Sequence, residues 1–207
     1  QILSGLVGSE MCIRDSPKMY QVLEQAKVLW KANSELFDFC HIEGSLRSNN
    51  LTPTKTAGVS LVTKAEYRAS KKTIPFIQAI KNHAHEASWL QTYSSSEVGE
   101  DFSNRHCYFE LIGPKGHFYA EKIRVFICYW GEYLNYKWHS HEAEELYYIL
   151  GGKATFRTKT VKKVLKAGDT QFHKSWESHS MDTLEEPILA FILWRGTGLN
   201  QLAKIDK

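Results

Sequence analysis

Trp138-His139-Ser140-His141-Glu142-Ala143-Glu144-Glu145-Leu146-Tyr147-Tyr148 decides how the rest of this chain is read. Taken as one extended strand, it alternates its side chains between two faces. His139, His141, Ala143, Glu145 and Tyr147 then share a face, so two imidazoles, a carboxylate and a phenol point the same way. A second segment adds to the set: Gly168-Asp169 opens a turn, and His179 follows eleven residues after Gly168. Three histidines and a glutamate make a mixed nitrogen and oxygen donor set suited to a divalent transition metal. A solvated surface strand would also be rich in His and Glu. The flanking runs argue against that reading: Phe126-Ile127-Cys128-Tyr129-Trp130 lies before the stretch and Leu146 to Leu150 closes it. A strand set between such runs belongs to a sheet with a buried face, and here that face carries donors.

Outward from this stretch the pattern stays β. Segments 108–112, 118–130, 138–150, 153–160, 163–165, 170–173 and 188–194 are rich in β-branched and aromatic residues and read as strands. Gly113-Pro114-Lys115-Gly116, Gly151-Gly152, Ala167-Gly168-Asp169 and Glu185-Glu186-Pro187 supply turns between most of them. Many short strands with turn signals predict a double-sheet jelly roll or barrel. The first half reads differently. Met19, Val22, Leu23, Ala26, Leu29, Trp30, Phe37 and Cys40 recur near the helical period, which predicts one amphipathic helix over residues 17–42. Residues 44–60 are polar, carry Pro53 and read as a loop. A second helical region covers residues 64–90, where Pro75 predicts two helices meeting near Thr73. His83 and His85 are two apart on a helix and project in different directions, so they are ordinary histidines. His41, His106 and His117 have no partner at a useful spacing and read the same way.

Composition narrows the function classes. The chain has 207 residues, 26 Lys and Arg, 23 Asp and Glu, and a formal charge of +3. Residues 6–15 resemble a translated sequencing-library adaptor, which implies an environmental assembly, and residues 1–16 are set aside as an artefact. Without Glu10, Arg14 and Asp15 the balance is 25 basic to 21 acidic residues, a charge of +4. No basic cluster points to nucleic acid or a membrane surface. No apolar run reaches the eighteen or so residues that span a bilayer. Apart from Cys12, the cysteines are Cys40, Cys107 and Cys128, an odd and widely spaced set that argues against a disulfide framework. With no visible signal peptide, the expected location is the cytoplasm, and the expected state a monomer or homodimer.

The run Gly131…His139-Ser140-His141…Glu145…Gly152 resembles the first cupin motif, with Gly131 two residues further from the first His than is usual. Gly168…His179 resembles the second. Tyr136, His139, His141, Glu145, Tyr147 and His179 together resemble, more narrowly, the cupin-type dimethylsulfoniopropionate (DMSP) lyases, over about Trp89 to Gly196. The resemblance implies a mainly β fold, with a helical region over residues 17–106 and a cupin jelly-roll barrel over 107–207. It implies one divalent transition metal (Fe, Zn, Mn, Ni or Co) held by His139, His141, Glu145 and His179. His173 is the competing histidine, and the motif favours His179, leaving His173 a supporting role.

The implied reaction is β-elimination of DMSP, a small-molecule substrate, to dimethyl sulfide and acrylate. Tyr147 is the implied base, and it lies two residues beyond Glu145 on the same strand face. Tyr136 is the implied proton donor or positioning group. Its parity is out of phase with His139, so the strand must be irregular there for both to face inward. Trp194 matches an aromatic pocket residue for the sulfonium end; Tyr129, Trp130 and Phe172 are further options, and Trp138 faces away on parity. Two other readings remain open: another cupin enzyme acting on a small carboxylate (isomerase, dioxygenase or lyase), and a non-catalytic cupin that binds metal or ligand as a sensor. Fold alone does not separate them. Tyr147 does, because neither a binding module nor an oxygenase needs a phenol beside the metal.

Overall fold

The computed structural model describes residues 19–42 and 45–206, so the adaptor-like residues 1–16 lie outside it. Helices come first: α1 (Tyr20–Ala32), α2 (Ser34–Phe39), α3 (Val59–Lys64) and α4 (Ile74–His83), then the short α5 (Ser95–Val98) and α6 (Glu100–Arg105). A two-residue strand, β1 (Arg47–Ser48), sits between α2 and α3. The remaining strands are β2 (His106–Ile112), β3 (Phe118–Tyr119), β4 (Ile123–Trp130), β5 (Asn135–Ser140), β6 (Glu144–Gly151), β7 (Lys153–Thr158), β8 (Lys162–Lys166), β9 (Thr170–His173), β10 (His179–Thr183), β11 (Ile188–Arg195) and β12 (Lys204–Ile205). They form a seven-stranded sheet in the order β1-β3-β2-β4-β11-β6-β9 and a five-stranded sheet in the order β12-β5-β10-β7-β8. The fold is therefore mainly β, two sheets with helices ahead of them, as the turn-punctuated strands predict. No helix among the described residues is long and apolar enough to cross a membrane.

The central strands of the large sheet are buried on both faces. Along β11, Leu189, Phe191 and Leu193 join a cluster with Val22, Trp30, Phe76 and Ile80 of the helices. The alternate residues, Ala190, Ile192 and Trp194, join a second cluster with Phe156 and Met181 of the small sheet. Two-sided burial explains why β2, β4 and β11 read as continuous apolar runs rather than alternating ones. The helices cover the outer face, and the space between the sheets holds the site.

Two elements differ from the sequence reading. The single helix over 17–42 is broken at Asn33, which takes an extended conformation (φ −123°, ψ 117°). Its side chain accepts the Leu36 amide at 3.0 Å, so it caps a new helix rather than continuing the old one. The restart turns Leu36 and Phe39 inward and leaves Phe37 exposed. In the second region Pro75 starts α4 instead of interrupting a helix, since the first turn needs no amide donor from it.

Candidate functional site

The decisive stretch is not one strand. β5 ends at Ser140 and β6 begins at Glu144, and the two lie in different sheets. His139 projects from the small sheet, Glu145 from the large one, and His141 from the connection between them. The donors thus meet across the barrel interior instead of lining one strand face. His179 opens β10, a strand the sequence reading left out, and pairs directly with His139. The next pairing is Met181 with Tyr136, two steps along β10 against three along β5. That extra residue is a β-bulge. It leaves both Lys137 and Trp138 exposed and turns both Tyr136 and His139 inward, the irregularity that two inward residues three apart require.

Three imidazoles are held in one tautomer. Nδ1 of His139 donates to the Lys137 carbonyl at 2.7 Å, Nδ1 of His141 to the Ala143 carbonyl at 2.9 Å, and Nδ1 of His179 to the Glu177 carbonyl at 2.7 Å. A carbonyl only accepts, so each Nδ1 carries the proton and each Nε2 of a neutral ring presents a lone pair. Nε2 of His141 and of His179 lie 3.2 and 3.1 Å from Glu145 Oε2. Two lone pairs facing a carboxylate in a buried site repel unless a cation joins them. The donor set therefore fits a divalent metal, with His141, Glu145 and His179 offering ligand atoms within 4.8 Å of one another. His139 stands beside this trio and outside that 4.8 Å set, its ring 4.1 Å from the His179 ring. The other Glu145 oxygen accepts the indole N–H of Trp194 at 2.8 Å, and the Trp194 ring stacks on His141 at 4.2 Å. His173 is fully buried, stacks on His179 at 3.9 Å and approaches Glu177 through Nδ1 at 3.3 Å.

Burial and charge oppose each other here. Burial works to raise the Glu145 carboxyl, but His141 and His179 outweigh it and hold it well below the usual range. Burial works to lower His141, and the Glu145 carboxylate outweighs it and raises the ring. His139 is driven well below its ordinary value, by burial first and by His179 second. Tyr147 and Tyr136 are both pushed well above 10, chiefly by burial, with Glu145 adding to both.

A cavity of about 50 Å³ reaches this cluster, room for a few water molecules or one small ligand. Tyr136, Glu145, Tyr147 and Trp194 all line it. The Tyr136 ring stacks on His139 at 3.9 Å, and its hydroxyl lies 3.3 Å from that of Tyr93. The Tyr147 hydroxyl makes no hydrogen bond among the described residues and so is free for a ligand. Of the other aromatic candidates, Trp130 lines the cavity, while Tyr129 belongs to the helix-side cluster and Trp138 and Phe172 are partly exposed at the surface. Sequence reasoning missed Arg124, Tyr108, Cys128 and Tyr93. Arg124, Phe126, Cys128 and Trp130 alternate on one face of β4, so strand parity within the run before His139 was the available signal. Arg124 is bound by Glu110, with its Nε 3.0 Å from Oε2, and it also donates to the Leu199 carbonyl at 2.9 Å.

Comparison with known proteins gives the same grouping. The family model described as dimethylsulfoniopropionate lyase matches residues 47–190. The curated dimethylsulfoniopropionate lyase DddQ of Ruegeria pomeroyi is 30% identical over 187 residues, which cover 87% of this chain and 90% of that one. Among solved structures, one from a study of the DMSP lyases RdDddP and RnDddQII superposes with a TM-score of 0.89 at 34% identity, covering 92% of this chain and 98% of the other. The crystal structure of DddQ from Ruegeria pomeroyi superposes with a TM-score of 0.87 at 28% identity, covering 92% and 96%. A match over residues 47–190 runs from β1 to the start of β11 and takes in every donor of the buried cluster, and on that ground the chain belongs to the dimethylsulfoniopropionate lyase family.

Proposed function

We propose that this protein is a metal-dependent DMSP lyase that cleaves its substrate by tyrosine-initiated β-elimination. The observation that carries the proposal is the convergence of tautomer-fixed histidine Nε2 atoms and Glu145 beside a cavity lined by Tyr147, in a chain of this family. His139, His141, Glu145 and His179 would hold one divalent metal, which supplies a Lewis acid for the substrate carboxylate and the developing enolate-like charge.

Tyr147 is the proposed base. Its oxygen takes the proton from the carbon next to the carboxylate; the released electron pair becomes the carbon–carbon double bond of acrylate. The carbon–sulfur bond breaks with its pair going to sulfur, which leaves as neutral dimethyl sulfide. The phenol then loses the proton to solvent. A free phenol has a pKa of about 10, so populating phenolate near neutral pH costs about 3–4 kcal/mol. Burial and Glu145 raise that cost further, and positive charge at the donor cluster lowers it. Tyr136, stacked on His139 and bonded to Tyr93, positions the substrate and donates a hydrogen bond to it. Trp194 walls the cavity and holds Glu145 in place. A cytoplasmic location accords with Cys40, Cys107 and Cys128 all being free thiols.

Gas chromatography of the headspace over metal-loaded protein mixed with DMSP tests the reading. Dimethyl sulfide and acrylate in equal amounts are expected; their absence rejects the proposal.

A further inference from the structure

The cavity wall away from Glu145 carries polar atoms that the lyase chemistry leaves unused. His106, an ordinary core histidine by sequence, is buried at the start of β2 and lines the cavity. Its Nδ1 donates to the Tyr129 carbonyl at 2.8 Å, which fixes the tautomer and leaves Nε2 as a lone pair. That Nε2 has no hydrogen-bond partner and is shut off from solvent. Rings surround it: Trp130 at 4.9 Å, Tyr136 at 6.1 Å and Tyr108 at 6.4 Å, all stacked or tilted onto the imidazole, and all lining the same cavity. Burial pushes the imidazole down to about 4, so the ring stays neutral at physiological pH and its lone pair stays available.

The two ends of the cavity differ in what their ring faces already hold. Beside Trp194 stands the Arg124 guanidinium, 5.7 Å from the indole centroid and 4.7 Å from the Phe126 ring. Those two ring faces already carry a guanidinium that is itself paired with Glu110, so they are not open to a second cation. The His106 end has no charged side chain among its ring neighbours and offers a lone pair and electron-rich ring faces. Tyr136 links the ends, its ring 3.9 Å from His139 and 6.1 Å from His106. We infer that His106, with the ring faces of Tyr108, Trp130 and Tyr136, forms the onium subsite, which receives the trialkylsulfonium end of a substrate whose carboxylate lies at the donor cluster. The inference rests on the lyase reading for the identity of that substrate. The attraction is that of a cation for ring faces and for an unshared nitrogen pair, in a site closed to water. Nε1 of Trp130 is also unpartnered among the described residues; as a donor it offers nothing to a cation.

Calorimetric titration of the metal-loaded protein tests this with two unreactive carboxylates of the same shape: 3-(trimethylammonio)propionate and its neutral isostere 4,4-dimethylpentanoate. Wild type is expected to favour the onium compound about tenfold or more, the range of a desolvated cation–ring contact. His106→Phe keeps a ring and removes the lone pair; it should bring the ratio to within about threefold, while propionate binds as in wild type. His106→Gln, which restores an acceptor, should recover part of the preference. Equal binding of both compounds by wild type would mean that His106 and Trp130 hold only water, and an unchanged ratio in His106→Phe would also overturn the assignment. Nitrogen-15 spectra of wild-type imidazoles need no variant: Nε2 of His106 should shift with the onium compound and not with its isostere, and no difference rejects the subsite. Headspace dimethyl sulfide from the same preparations separates the two proposals. A wild type that makes none yet discriminates refutes the lyase and retains the onium subsite; one that makes it without discriminating does the reverse.

Discussion

Trp194 and Glu145 are direct partners across the β11–β6 pairing, and the indole N–H of one donates to Oε1 of the other at 2.8 Å. The bond leaves Oε2 as the oxygen facing His141 and His179. Hydrogen bonds to a metal-binding carboxylate typically contribute 10–100-fold in metal affinity. Trp194→Phe keeps a ring over His141 and removes the donor. Its metal affinity, measured by chelator competition, should fall by about tenfold or more. An unchanged affinity would mean that packing alone orients Glu145.

The ligand assignment has a simpler test. Purified protein should carry one divalent metal per chain by elemental analysis. His141→Ala, Glu145→Ala and His179→Ala should each lose high-affinity binding, since the remaining donors hold the ion poorly against water. Full occupancy in the His141→Ala and His179→Ala variants would require another set of ligands.

Tyr147→Phe should fold, keep its metal and bind a small carboxylate, yet lose at least ~100-fold in elimination rate, the lower end of what a positioned base contributes. In heavy water the wild type should exchange the proton beside the substrate carboxylate when elimination is slowed, and the variant should not. Tyr136→Phe is the comparison. Near wild-type turnover in Tyr147→Phe with loss in Tyr136→Phe would exchange the two roles; activity in both would exclude a tyrosine base.

Dividing the chain at residues 106 and 107 should not yield an independent barrel. A fragment of residues 107–207 would expose Phe109, Leu111, Ile127, Phe191 and Leu193, which the helices cover. Exposed apolar patches of that size promote aggregation. Size-exclusion chromatography and near-ultraviolet circular dichroism should show aggregates or a loosely packed state; a monomer with a cooperative thermal transition would show that the helical layer is dispensable.

The residues of the buried cluster were legible from the sequence because residue type and motif spacing name them whatever the backbone does between them. The route by which they meet was not. A period of two carries His139, His141 and Glu145 to one side on paper, and the strand actually ends at Ser140. His-Ser-Met-Asp-Thr carries no strand signal, being short and polar, although four of its five residues are buried. The break at Asn33 was hidden for a different reason: its flanks keep a helical period, and only the cap bond to Leu36 shows the restart. Cavity residues such as Arg124 and His106 lie in runs whose two faces are both largely apolar, so parity groups them on one face without saying which face looks inward.

The two-sided sheet also sets how relatives of this chain can diverge. On β11 the side chains at 189, 191 and 193 answer to the helical layer, and those at 190, 192 and 194 answer to the space between the sheets, where 192 and 194 line the cavity. Substitutions drifting under selection for folding alone therefore fall on the odd positions, and changes in substrate preference on the even ones. A lineage can rebuild its helices while holding its chemistry, or the converse, one residue apart along the same strand.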